Sequence, residues 1–138
     1  MGRDDERGAI ARLVAATAAG PATLLVEGEA GIGKTTLFRH ALALATSAGI
    51  EVLRASPGQQ ESQLTFAGLT DLLGPVGQDA FDRLPAPQRA GLTTATLRGP
   101  TGVDPPDERA IGTGLATLLG ELADIAPVLV AVDDIQWL

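Results

Sequence analysis

The sequence predicts an α/β fold with a parallel sheet, and three observations carry that expectation. Residues 23–55 alternate from a short apolar run to a glycine-rich loop, then to helical spacing, then to a second apolar run. A strand–loop–helix–strand unit of this kind implies parallel strands joined by a right-handed crossover. Far downstream, Val128–Val132 is another apolar, β-branched run, and it ends in Asp133-Asp134. At 138 residues the chain can bury one domain core but not comfortably two.

The elements follow in order. Asp5–Thr17 reads as an amphipathic helix with Ile10, Leu13, Val14 and Thr17 on one face, stopped by Gly20-Pro21. Thr23–Glu27 is an expected buried strand. Gly28–Gly33 is too glycine-rich for helix or strand. Lys34–Ser47 returns to helical spacing through Leu37, Phe38, Ala41, Leu42 and Ala45, with Gly49 as its stop. Ile50–Ala55 is the second strand. After a polar loop, Leu64–Leu73 places Phe66, Leu69, Leu72 and Leu73 at helical spacing. Gly74-Pro75, Pro85-Ala86-Pro87 and Gly99-Pro100 then punctuate short helices. Asp107 can cap a helix running to about Asp124, whose stripe is Ile111, Leu115, Leu118, Leu119 and Leu122. Residues 56–106 contain no recognisable chemistry.

Composition excludes several functions. Ten Lys+Arg against seventeen Asp+Glu give a net charge of −7, which argues against a nucleic-acid surface. Without Cys there is neither a disulfide framework nor a thiolate metal site. A single histidine, His40, rules out a multi-histidine zinc centre and argues against a Ser-His-Asp triad. The charged start Met1–Arg7 is no signal peptide, and Ile125–Val132 is too short to span a bilayer. A soluble, cytoplasmic chain with no membrane partner is expected. Nine of the ten cations are arginine, so Lys34 is the only lysine.

That lysine lies in Gly28-x-x-x-x-Gly33-Lys34-Thr35, the phosphate-loop (Walker A, 28–35) pattern. Each part has a mechanical reason. Glycines let the loop turn tightly enough to aim backbone N–H groups at phosphate oxygens. The helix that starts near Lys34 adds its positive N-terminal end. Lysine reaches the β- and γ-phosphates, and the Thr35 hydroxyl takes a place on Mg²⁺. Gly28, Glu29, Ala30, Gly31, Ile32, Gly33, Lys34, Thr35 and Thr36 are therefore the candidate ATP-binding residues. Leu129–Asp134 supplies the matching acidic strand end (Walker B, 129–134), since ligands in open α/β sheets bind at the C-terminal edge. Asp133 joins Thr35 as a candidate Mg²⁺ holder. Asp134, with Lys34, is the candidate catalytic group, standing where a water-polarising Glu is common.

The remaining residues have plainer readings. Trp137 packs the acidic segment, and Gln136 either orients water or is an exposed amide. His40 reads as a surface histidine rather than a catalyst, and Arg39 and Arg54 either approach phosphate or base or are solvated.

Together these residues resemble a known family. Gly2-Arg3-Asp4-Asp5-Glu6, the loop Gly28–Thr36, Thr65–Leu73, and Val132-Asp133-Asp134-Ile135-Gln136-Trp137-Leu138 are similar to the N-terminal ATPase segment of large ATP-binding LuxR-type transcriptional regulators. Those are STAND-class P-loop ATPases related to AAA proteins, and the resemblance covers nearly the whole chain. It implies a P-loop three-layer sandwich with a parallel sheet, of which residues 1–138 are an incomplete, N-terminal part. It implies ATP and Mg²⁺ as ligands, a switch role, and DNA binding only from a downstream domain. It also places Gly2 and Arg3 near the adenine. By the same resemblance, Val128–Val132 lies beside Ile50–Ala55, and the strand that separates it from Thr23–Glu27 comes later in sequence. The resulting open edges leave self-association open. A small P-loop phosphotransferase, with first and third strands directly paired, and a non-catalytic interaction fragment are the competing functions.

Overall fold

The computed structural model describes residues 3–58, 66–99 and 107–135. Helix α1 (Asp4–Ala16) opens with Asp4, Asp5 and Glu6 in its first turn, where carboxylates complement the helix dipole. It buries Ile10 and Val14 against Leu37 and Ala45 of α2 (Lys34–Ser47). Strand β1 (Glu51–Ala55) follows. Three short helices come next: α3 (Ala67–Leu73), α4 (Gln78–Asp82) and α5 (Ala86–Ala95). The long α6 (Glu108–Ile125) leads into strand β2 (Val128–Val132).

Strands β1 and β2 pair in parallel, from Glu51 opposite Val128 to Ala55 opposite Val132. Bonds from Glu51 N to Pro127 O (3.2 Å) and from Asp133 N to Ala55 O (3.0 Å) extend the ladder at both ends. The alternation of side chains along β1 divides the core. Val52 packs with the α1–α2 cluster, whereas Leu53 and Ala55 join a larger one with α3–α6. Val128–Val132 therefore lies beside Glu51–Ala55, as the regulator resemblance implies.

Thr23–Glu27 is a correction. The expected strand is not one: residues 21–29 have no sheet pairing, and Leu25 is 65% exposed. The reason is the lack of a neighbour. β2 pairs with β1 on one side, and on the other an open groove of about 790 Å³ runs between β2 and residues 18–24. Apolar residues can commit to a strand only where another backbone takes their N–H and C=O groups. Among the described residues none fills that groove.

The helices match expectation more closely. α2 and β2 carry the expected limits, Lys34–Ser47 and Val128–Val132. Asp107 caps α6 by accepting from Arg109 N at 2.9 Å, and the helix ends at Ile125. The Leu64–Leu73 stripe is shorter in the structure. Leu64 and Thr65 lie outside the described residues, and Phe66 stands before α3 with φ 66°. Its carbonyl accepts from Thr70 N at 2.9 Å.

Most of the larger core comes from the chemically quiet middle of the chain: Leu72, Leu73, Val76, Ala80, Phe81, Leu84, Leu92 and Ala95. α5 and α6 approach closely at Gly114, where a Cβ would stand 3.0 Å from Gln88 O and 3.1 Å from the Leu92 side chain. Arg98 ties this part together. Its guanidinium donates to Val76 O (2.8 Å), Leu73 O (2.7 Å) and Gly74 O (3.2 Å), and lies 4.4 Å from the Phe81 ring centre. Among the described residues no helix is long and apolar enough to cross a membrane.

Candidate nucleotide site

The glycine-rich loop folds as its composition demands. Gly31 (φ 81°) and Gly33 (φ 96°) occupy left-handed backbone that a Cβ disfavours. Gly33 is the residue from which α2 begins, and its carbonyl accepts from Thr36 N (3.1 Å) and Leu37 N (3.2 Å). A tight turn, Ile32 N to Glu29 O at 3.3 Å, closes the loop ahead of it. The first amides of α2 have no carbonyl a turn behind them, so this end of the helix favours an anion.

Lys34 folds back over the loop. Its Nζ donates to Gly28 O (2.7 Å) and Glu29 O (3.0 Å). An ammonium held only by exposed carbonyls is available to phosphate oxygens, with which it forms stronger, charge-assisted bonds. Thr35 and Thr36 are exposed on the first turn of α2, as are Glu29, Ala30 and Ile32 on the loop.

Asp133 and Asp134 follow directly from β2. Asp133 is half-buried, and its Oδ1 accepts from Asp134 N at 3.1 Å. Asp134 is exposed and turns the chain with φ 53°, a left-handed conformation that aspartate tolerates better than most residues. One cavity of about 960 Å³ is lined by Gly28, Gly31, Gly33, Lys34 and Thr35 together with Asp134. The loop and the acidic strand end, about a hundred residues apart in sequence, thus share one wall-to-wall space. A cation, a hydroxyl and a carboxylate around it form a donor set suited to a magnesium–phosphate group. No cluster of three or more His, Cys, Asp or Glu suited to a metal occurs among the described residues. A magnesium ion bound mainly by phosphate, water and one or two side chains needs no such cluster.

Among the described residues, Arg3, Arg39, His40 and Arg54 do not line this cavity. Arg3 donates through Nη1 to Gly33 O at 3.2 Å and through Nη2 to Ile32 O. Sequence reasoning had no signal for that contact, which joins residues 30 apart. Gly2, Gln136 and Trp137 lie outside the described residues. His40 is half-buried on α2, and Arg39 and Arg54 are exposed.

The model of the AAA ATPase domain family matches residues 1–138. No curated protein and no solved structure gives a significant match.

Proposed function

The chain belongs to the AAA ATPase domain family, and from that premise we propose that residues 1–138 bind Mg-ATP as the switch module of a LuxR-type, STAND-class regulator. Family membership supports nucleotide binding in general, typically with magnesium. The single observation that carries the site is the shared cavity of Lys34, Thr35 and Asp134. In this reading the chain is the N-terminal part of a P-loop three-layer sandwich, and it acts in the cytoplasm. Direct DNA contact is assigned to a separate domain, because a net charge of −7 repels phosphate backbones.

Each residue has a role. The amides of Gly28–Thr36 and the N-terminal end of α2 bind the phosphates, and Lys34 neutralises the β- and γ-phosphate charge. Thr35 and Asp133 would hold magnesium, which when bound neutralises charge on the phosphate oxygens. Asp134 orients the attacking water. Its carboxylate is one methylene shorter than the Glu common at such positions. Misplacement on the order of 1 Å can cost about 10²-fold in rate. Slow hydrolysis follows, and with it an ATP-bound state that lasts long enough to act as a signal.

Titration with trinitrophenyl-ATP tests the binding. A saturable, magnesium-dependent signal that ATP displaces supports the reading, and no saturable signal overturns it. Single-turnover hydrolysis tests Asp134 in the full protein. Slow wild-type turnover with a further loss in Asp134→Ala is expected. An Asp134→Ala variant as fast as wild type would remove Asp134 from the water-orienting role.

A further inference from the structure

Two cations hold four carbonyls of the phosphate loop between them. Lys34 takes Gly28 O and Glu29 O from the side of the cavity that it lines. Arg3 takes Ile32 O and Gly33 O, and it is not among the residues lining that cavity. A trans peptide is planar, with its C=O and the next residue's N–H pointing in opposite directions. Holding Ile32 O therefore fixes the direction of Gly33 N–H, while Gly33 O, which Thr36 N and Leu37 N of α2 also hold, fixes that of Lys34 N–H with Arg3 as a third donor. These are two of the amides that an anion at the start of α2 would use.

We propose that Arg3 is a positioning residue for the phosphate loop: it clamps the Ile32 and Gly33 carbonyls from behind, so that the following amides face the phosphates. The inference rests on the Mg-ATP reading of this cavity. It gives Arg3 a role on the phosphate side of the ligand in place of one at the base.

Three features of the structure support it. Phosphates compete for Lys34, which sits in the cavity wall, but not for Arg3, which sits off it. The clamp can persist when the loop is loaded. Gly33 leaves room for it, since a Cβ there would overlap the Arg3 guanidinium, so the glycine serves both the left-handed turn and the close approach of Arg3. Finally, Arg3 immediately precedes α1, whose Ile10 and Val14 pack against α2. The clamp is thereby anchored to the same helix pair that carries the loop. A guanidinium suits this task, because its planar fork presents several donors at once and stays charged at any working pH.

The experiment compares Mg-ATP with magnesium tripolyphosphate, which has no base or ribose, by calorimetric titration of wild type, Arg3→Ala and Arg3→Lys. A phosphate-loop clamp predicts that Arg3→Ala weakens both ligands alike, by about tenfold, the low end for one lost charge-assisted hydrogen bond. Arg3→Lys keeps the charge but has a single nitrogen, and should recover part of the loss for both ligands. All three proteins should remain folded at the titration temperature, with Arg3→Ala lowering the thermal midpoint by no more than a few degrees, roughly the scale of 1 kcal/mol. A merely structural role for Arg3 would instead show as unfolding before titration. Loss of Mg-ATP affinity with tripolyphosphate binding unchanged would overturn the clamp in favour of a base-side contact. Unchanged binding of both ligands would overturn it outright. If wild type itself binds neither ligand, the Mg-ATP reading falls and the clamp with it, a result distinct from the other two.

Discussion

Residues 18–33 and residues 66–99 differ in how they use their side chains. The first segment leads into the phosphate loop and is exposed almost throughout, with Leu25 at 65% and Ile32 at 58%. The second contains no recognisable chemistry and supplies most of the larger core, with Leu73, Phe81 and Leu92 fully buried. The groups suited to ligand chemistry and the groups that hold the fold together therefore occupy different parts of the chain. Binding sites need polar groups that other parts of the protein have not already claimed, whereas a core needs its members fully enclosed. Substitutions in the two segments should then have separable effects, on stability in one and on ligand affinity in the other.

The largest effect on stability is expected at Phe81. Phe81→Ala removes a fully buried ring from between α4, α5 and α6 and should cost about 3–5 kcal/mol, measured by denaturant unfolding. A cost below about 1 kcal/mol would mean that the quiet segment is not the structural half of the molecule.

A smaller loss is expected at Arg98. Its guanidinium satisfies three carbonyls around the α3–α4 turn and covers the Phe81 ring. Arg98→Ala should cost about 1–2 kcal/mol, because it strips a charged donor from those carbonyls and a cation from the ring. Arg98→Lys should recover only part of this, since one ammonium cannot serve the same fork. Full recovery by lysine would reduce the contact to a charge effect.

The smallest change is expected in the exposed segment. Leu25→Ser, at a position 65% exposed, should alter stability by no more than about 0.5 kcal/mol. A large loss would show that Thr23–Glu27 is covered in solution, and that the contrast between the segments is less sharp than the exposure implies.

The legibility of the sequence follows the same division. The loop was readable because the phosphate-loop pattern needs particular residue types at fixed spacing, and Lys34, the chain's only lysine, stands at that pattern's lysine position. α2, α6 and β2 were readable from periodicity and from caps such as Asp107. Thr23–Glu27 was misread because its composition suits a strand, whereas pairing depends on a neighbour that local sequence does not encode. The Arg98 clamp and the Arg3 contact were invisible for a related reason. Each is a single long side chain reaching carbonyls more than twenty residues away, and no local pattern records where a fold will bring those carbonyls.

The most direct test of nucleotide binding at the loop is calorimetric titration of Mg-ATP into wild type and Lys34→Ala, with unfolding followed on the same samples. Lys34 bonds only to exposed loop carbonyls, so its removal should change stability by less than about 0.5 kcal/mol. Mg-ATP binding should be abolished, because the phosphates lose the only lysine that can neutralise them. A Lys34→Ala protein that keeps its affinity within about threefold, less than about 1 kcal/mol, would contradict the account.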